Sequence, residues 1–117
     1  MAKDLKSALS EYLRIDGVTA VALVGRDGFV IESISNDKLD TDGMGAVVAS
    51  AIGSSEVLGN DFNLGELEQY LLEFGKGKVL IATAGEDILA LMTDQTAVIG
   101  SVRYAVKKNI AALTKLL

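Results

Sequence analysis

The chain has 117 residues, half of them apolar, which suits one domain over residues 1–117 with a core that needs no covalent staples. It contains neither cysteine nor histidine, which excludes disulfides, thiolate catalysis and the most common general base and metal ligand. Its formal net charge of −5 argues against binding nucleic acid, because such binding needs a basic face.

The chain shows no signal for export or for membrane insertion. The N-terminus has no apolar signal region, and no apolar run approaches the roughly 20 residues that a membrane-spanning helix needs. We therefore expect a cytoplasmic protein that does not insert into a membrane.

The first part of the chain predicts a helix followed by a β-hairpin. Apolar side chains recur at helical spacing over residues 3–14, and residues 18–24 are β-branched or small apolar, as in a buried strand. Asp27-Gly28 is a strong hairpin signal, so residues 29–34 form the returning strand.

A polar loop then leads to a central helix, predicted over residues 44–59. Asp40, Thr41 or Asp42 can cap its N-terminus, and we expect Gly59 to end it. The loop acids Asp37, Asp40 and Asp42 suggest a calcium loop, but the twelve-residue frame lacks oxygen ligands at its first and last positions. We therefore assign these acids to the helix N-terminus and expect no bound metal.

The remainder predicts three strands and a last helix. The strands span residues 67–74, 78–84 and 88–93, and Asp94 can cap the helix. The apolar stripe of that helix consists of Ile99, Val102, Val106, Ile110, Leu113 and Leu117. Short turns indicate a mostly antiparallel sheet, and the second and third strands are joined by a crossover through the central helix. The order α-ββ-α-βββ-α predicts an α+β sandwich with three helices flanking a five-stranded sheet.

The central helix has an unusual outer face. We expect its core face to be Met44, Val47, Val48, Ala51, Ile52 and Leu58. The opposite face is small and nearly uncharged: Ala46, Ala49, Ser50, Gly53 and Val57. A solvated helix normally carries charges there, and Gly53 in mid-helix costs about 1 kcal/mol relative to alanine. We interpret this face as a contact with a second polypeptide; the alternatives are a helix buried inside its own domain or a merely small-residue surface.

The third strand is apolar on both sides. One side carries Tyr70, Leu72 and Phe74, and the other Leu67, Gln69, Leu71 and Glu73. An edge strand of this kind pairs readily with a copy of itself, whereas an internal strand would be covered on both sides. Antiparallel pairing of two copies would build one continuous sheet and set two central helices side by side in a two-fold dimer.

No motif indicates enzymatic chemistry. Residues 43–48 begin like a dinucleotide fingerprint but lack its third glycine and its tight strand-to-helix turn. Residues 75–78 resemble a phosphate loop only faintly, since a strand follows them instead of a helix. The serines have no histidine partner, so we expect neither catalysis nor a cofactor.

The chain resembles the Roadblock/dynein light chain family, and more closely its small prokaryotic members of the MglB type. The resemblance rests on the element order, on residues 15–18 and 24–31 around the Asp27-Gly28 turn, and on the Gly/Ala/Ser-rich central helix. It implies a profilin-like Roadblock fold and a homodimer formed through the third strands and central helices. It also implies a platform for a Ras-like small GTPase, whose hydrolysis MglB-type proteins stimulate by reshaping the partner's active site.

Carried onto this sequence, the resemblance makes Ala46, Ala49, Ser50, Gly53 and Val57 the face that receives the GTPase. The first alternative is a scaffold or light-chain subunit of a motor or filament complex, since the family also contains such proteins. A lesser alternative is a small-ligand sensor, which would need a pocket with polar lining between sheet and helix. The sequence names neither the partner nor the biological process.

Overall fold

The computed structural model describes residues 4–36 and 39–117, except for the side chain of Asp42. The elements are α1 (Leu5–Leu13), β1 (Val18–Val24), β2 (Val30–Ser35), α2 (Thr41–Asp61), β3 (Gln69–Phe74), β4 (Gly77–Ala84), β5 (Asp87–Thr93) and α3 (Ile99–Thr114). The predicted order α-ββ-α-βββ-α is therefore confirmed. The predicted start of the first helix at residue 3 lies outside the described residues.

All neighbouring strands pair antiparallel, in the order β2-β1-β5-β4-β3. β2 and β3 are consecutive along the chain but lie at opposite edges, so α2 carries the chain across the sheet. The predicted crossover is confirmed. It leaves β3 at an edge, with a neighbour on one side only among the described residues.

Helices cover both faces of the sheet. α1 and α3 pack on one face, where Leu9, Leu23, Leu89 and Val102 are fully buried. α2 packs on the other face, over a smaller cluster that includes Ile81 and the side chains of α2 itself. The strands alternate between the two cores, as expected for a sheet covered on both sides.

α2 is longer than predicted at both ends. Its N-terminus is set by Asp40, whose carboxylate accepts a hydrogen bond from the Gly43 amide at 3.3 Å. Gly59 does not end the helix. The residue with a left-handed backbone conformation lies beyond the end of the helix and is Asn63, with φ of 55°. Gly59 serves close packing instead, because a Cβ there would lie 2.8 Å from the carbonyl oxygen of Gly65.

The predicted capping role of Asp94 is wrong. Its carboxylate accepts hydrogen bonds from the amide of Thr96 at 2.8 Å and from the Thr96 hydroxyl at 2.6 Å. These bonds close a local turn of the kind that aspartate favours, and they hold the pKa of Asp94 below its ordinary value. α3 begins later, at Ile99, and Val98 caps it without a side-chain hydrogen bond.

Candidate functional site

α2 is anchored to the sheet along one narrow line of small and apolar residues. Val48 and Ile52 are 4% and 1% exposed at the centre of this line. Gly45 lies against the β1–β2 turn, where a Cβ would collide with the carbonyl oxygen of Gly28. The helix therefore sits as close to the hairpin as its backbone allows, and its other side is left uncovered.

Between Ala46 and Leu58 the uncovered side, which we call the outer face of α2, has no charged side chain; the exposed Asp61 ends the helix on the same side. It consists of seven exposed residues: Ala46, Val47, Ser50, Gly53, Ser54, Val57 and Leu58. Its three large side chains, Val47, Val57 and Leu58, are 69%, 56% and 58% exposed. A Cβ built on Gly53 meets no atom within 4 Å, so nothing in the described fold requires glycine at this position.

Three predicted positions on this helix need correction. Val47 and Leu58 were expected in the core but are exposed, and Ala49 was expected on the outer face but is half-buried against the core under α2. At 100° per residue, Val47 and Leu58 lie roughly 80–100° to one side of Val48. The apolar arc of the helix is thus wider than the arc that reaches the sheet, and the excess adds to the outer face.

The charge of Glu56 is directed away from the outer face. Its carboxylate pairs with the guanidinium of Arg26 in the β1–β2 turn, and Arg26 also donates from Nε to the carbonyl oxygen of Glu86 at 2.9 Å. The hydrogen bond with Glu56 raises the pKa of Arg26. This pair fastens the flank of α2 to the hairpin and leaves the outer face without charge.

β3 is the edge strand that the sequence predicts, and its alternation shows which backbone groups are free. The amide of Thr83 donates to the carbonyl oxygen of Glu68 at 3.3 Å, one step before the paired residues Gln69 and Ala82. Because hydrogen-bonded and non-hydrogen-bonded pairs alternate in an antiparallel ladder, residues 70, 72 and 74 bond to β4. The backbone groups of residues 69, 71 and 73 point away from the sheet.

The side chains of β3 divide between the two faces of the sheet largely as predicted. Tyr70 and Leu72 pack on the α2 side, and Leu71 packs on the α3 side. Gln69 exchanges two hydrogen bonds with Arg103 of α3, each 3.2 Å long. Glu73 is exposed.

Leu67 does not share the face of Leu71 as predicted. It packs with the cluster under α2 instead. The physical reason is that β3 begins only at Gln69, so strand alternation does not yet apply at Leu67. Its carbonyl oxygen accepts a hydrogen bond from the Thr83 hydroxyl at 2.9 Å, which holds the segment beside β4.

Exposed apolar side chains continue from the end of α2 toward β3. Phe62 and Leu64 are 67% and 72% exposed in the loop after the helix. Leu58, Leu64 and Leu71 line one groove between this loop and β3. Sequence reasoning missed Phe62 and Leu64, although large apolar residues in a loop rich in Gly and Asn are themselves a signal.

The described residues offer little for metal binding. They contain no group of three or more acidic side chains that could hold a metal ion. Of the acids considered for calcium, Asp40 caps α2, while Asp37 and the side chain of Asp42 lie outside the described residues. In the described part of the chain, no helix is long and apolar enough to cross a membrane.

Comparison with known proteins assigns the fold to a family. Residues 5–94 match the sequence profile of the Roadblock/LC7 domain. The chain belongs to the Roadblock/LC7 family. An uncharacterized protein of Methanocaldococcus jannaschii is 37% identical over 100 residues, which cover 86% of this chain and 85% of that protein.

Solved structures of MglB share this Roadblock fold. Myxococcus xanthus MglB superposes with a TM-score of 0.88 at 21% identity, covering 96% of this chain and 93% of that chain. An MglB described as having a tetrameric arrangement gives a TM-score of 0.87 at 24% identity, covering 96% and 86%. At these identities the likeness shows the fold alone, and the predicted Roadblock sandwich is confirmed.

Proposed function

We propose that this Roadblock protein is a homodimeric, non-enzymatic module that binds and regulates a Ras-like small GTPase. The observation that carries the proposal is the outer face of α2, which is exposed, uncharged and interrupted by a glycine that no contact in the described fold explains. A helix back in water ordinarily carries charged residues. The resemblance to MglB-type proteins supports the choice of a small GTPase as the partner.

The physical argument rests on what burial of this face would contribute. Fully burying an exposed valine or leucine stabilises a complex by about 1.5–3 kcal/mol, and three such side chains on the face are more than half exposed. Gly53, Ala46 and Ser50 carry almost no side chain between them, so a partner's backbone can approach closely. The face therefore favours a flat, apolar contact over recognition of a small charged ligand.

The homodimer would join two such faces into one plate. β3 offers an edge with free backbone groups at residues 69, 71 and 73, and a copy of the same strand is a complementary partner for it. Leu67 and Leu71 flank this edge on opposite sides of the sheet. Two-fold pairing at β3 would set two copies of α2 on the same side of one continuous sheet.

Regulation in this proposal comes from docking and not from a supplied catalytic group. The chain lacks histidine and cysteine, and the outer face of α2 contains no arginine that could stabilise charge in a partner's transition state. Binding energy would instead hold the partner's switch segments in one arrangement. We propose that this happens in the cytoplasm.

The test is Gly53→Arg, with Gly100→Arg as the matched control. Both glycines are exposed helical positions where a Cβ meets no atom within 4 Å, so both variants should fold. Binding is measured by calorimetry with a purified Ras-like GTPase, loaded in turn with GTP and GDP. We expect Gly53→Arg to weaken binding by at least about tenfold, or ~1.4 kcal/mol, and Gly100→Arg to leave it unchanged.

Two results would contradict the proposal. Equal binding by the two variants would remove α2 from the interface. No binding of the GTPase by the unmodified protein, together with recovery of motor or filament components in a pull-down, would favour the scaffold alternative. Phosphate release measured with catalytic amounts of this protein reports whether docking also stimulates hydrolysis.

A further inference from the structure

The last part of the chain has a charge opposite to that of the rest. Residues 95–117 contain four basic residues and no acidic one, although the whole chain has a formal net charge of −5. All 16 acidic residues therefore lie before α3. We propose that the exposed face of α3 binds the surface of an anionic lipid membrane. This site is separate from the outer face of α2, because α3 packs on the opposite face of the sheet.

The basic residues of α3 lie mainly on the side of the helix that points away from the sheet. Val102, Val106 and Leu113 are buried and lie within roughly 40° of one another around the helix. The opposite side, which we call the basic face of α3, consists of five exposed residues: Tyr104, Lys107, Lys108, Ala111 and Lys115. They lie within roughly 60° of the direction opposite the buried residues, so they form one continuous surface.

The charge of the basic face is not neutralised within the described structure. Lys107, Lys108 and Lys115 form no ion pair and no side-chain hydrogen bond with another described residue. Glu66 and Glu68 line the same groove as Lys107, but neither makes an ion pair with it. A surface that carries one sign of charge attracts a partner of the opposite sign. The basic face therefore favours an anionic partner.

Exposed apolar side chains accompany the lysines and favour a lipid surface over other anions. Tyr104 is 68% exposed at the centre of the basic face, and Val98 and Leu117 are 68% and 47% exposed at the two ends of the helix. Tyrosine is favoured at the level of the lipid headgroups, and lysine can reach a headgroup phosphate while its methylene groups lie on apolar surface. Nucleic-acid phosphates are bound preferentially by arginine, and the basic face contains none.

The homodimer of the proposed function would double the contact. Two-fold pairing at β3 would set two basic faces on one side of the continuous sheet and two outer faces of α2 on the other. The membrane would then lie on one side of the dimer and the GTPase on the other. This doubling rests on the proposed function, whereas the basic face is present in a single subunit.

Sedimentation with lipid vesicles tests the proposal on the full chain. The probes are vesicles of phosphatidylcholine alone and vesicles in which about one-third of the lipid is anionic phosphatidylglycerol. We expect the unmodified protein to sediment only with the anionic vesicles. Raising the salt concentration from about 0.1 M to about 1 M should release it, because the Debye length falls from roughly 10 Å to roughly 3 Å.

Neutralising the lysines measures their contribution. A lysine close to an anionic bilayer strengthens binding about fivefold, so Lys108→Gln should weaken vesicle binding about fivefold. The triple glutamine variant of Lys107, Lys108 and Lys115 should weaken it about a hundredfold. Lys76→Gln is the matched control, because it makes the same change in charge at an exposed position in the β3–β4 turn. It should change binding by less than about twofold, because salt screens distant charges.

A single tryptophan reports which side of the protein contacts the lipid, because the natural chain contains none. Tyr104→Trp places the fluorophore on the basic face, and Phe62→Trp places it at an equally exposed position, 67% accessible, at the end of α2. We expect anionic vesicles to shift the emission of Tyr104→Trp to the blue and to protect it from acrylamide. The emission of Phe62→Trp should stay unchanged.

Four results would overturn the proposal. They are no sedimentation with anionic vesicles, equal sedimentation of the triple variant and the unmodified protein, protection of Phe62→Trp in place of Tyr104→Trp, and binding to a DNA duplex without binding to anionic vesicles. The last result would assign the basic face to nucleic acid. None of the four bears on binding of the GTPase, which Gly53→Arg tests separately.

Discussion

Gly45 and Gly53 lie two turns apart on α2, and alanine at the two positions should have opposite effects. At Gly53 the new Cβ enters open space, whereas at Gly45 it collides with the carbonyl oxygen of Gly28 and lies 3.1 Å from Cγ2 of Val30. The two variants add the same methyl group to the same helix. Any difference in their stability therefore reports the surroundings and not the intrinsic preference for helix.

The magnitudes follow from two known terms. Replacing glycine by alanine in a helix interior stabilises it by about 1 kcal/mol. Gly53→Ala should keep this gain in the monomer, which corresponds to a rise in Tm of roughly 3–6 °C. Gly45→Ala gains the same term but must displace backbone, at a cost near the upper end of about 1–3 kcal/mol for overpacking, so a net loss of about 2 kcal/mol is expected.

Urea unfolding followed by far-ultraviolet circular dichroism measures both changes, and it should be run at several protein concentrations. The stability of a dimer depends on concentration. If a second polypeptide packs against Gly53, the gain in unfolding free energy from Gly53→Ala should become smaller as the fraction of the protein in the dimer or complex rises. At the lowest concentration the monomer term should remain.

A loss of stability in Gly53→Ala at every concentration would refute the reasoning, since it would mean that the monomer itself needs glycine there. An unchanged or raised stability in Gly45→Ala would equally contradict the close approach of α2 to the hairpin. Gly100→Ala serves as a reference for a glycine in open space outside the interface.

Three further predictions concern stability. Burial raises the pKa of Tyr12 to about 12, so the folded state holds the phenolic proton more tightly than the unfolded chain does. The free energy of unfolding should therefore fall as the pH rises from about 10 toward 12. Tyr12→Phe should abolish this loss in unfolding measurements at alkaline pH. Hydrogen bonds lower the pKa of Asp94 in the folded state, so its ionised carboxylate stabilises the fold above the pKa of the unfolded chain, and this stabilisation is lost as the pH falls through the folded-state pKa. Asp94→Ala should therefore reduce the loss of unfolding free energy that is measured as the pH is lowered. The Arg26–Glu56 pair is partly exposed, with side chains 40% and 31% accessible, and a double-mutant cycle should give it at most about 1 kcal/mol; a larger coupling would indicate desolvation beyond what these exposures allow.

The strands and helices were accessible from local pattern. β1 was predicted at its observed bounds, Val18–Val24, because a run of β-branched and small apolar residues ending in a glycine turn leaves few alternatives. The antiparallel hairpins followed from the short turns, but the order of the strands, with β1 beside β5, did not. Helix ends were predicted less well, since Gly59 and Asp94 each carry a typical end signal that serves another contact in the fold.

The candidate site was accessible in part. The outer face of α2 can be recognised in the sequence because the uncharged residues Ser50, Gly53 and Val57 recur on one side of the predicted helix. The outer face of α2 includes Val47 and Leu58 and excludes Ala49 because of the angle at which α2 meets the sheet. The hydrogen bond from Arg103 to Gln69 is long-range, because thirty-four positions separate the two residues and no periodicity links them.

The sequence by itself determined the elements, the antiparallel hairpins and an uncharged stripe on the central helix, because these depend on neighbours within a few residues, whereas the pairing of β1 with β5 is long-range. The tertiary structure decided which side of α2 is uncovered, which backbone groups of β3 are free, and where Glu56 and Arg103 direct their charges. The reason is physical. Periodicity specifies the direction of a side chain relative to its own helix or strand, but only the packing of one element on another specifies whether that direction leads to core, to solvent or to a second chain.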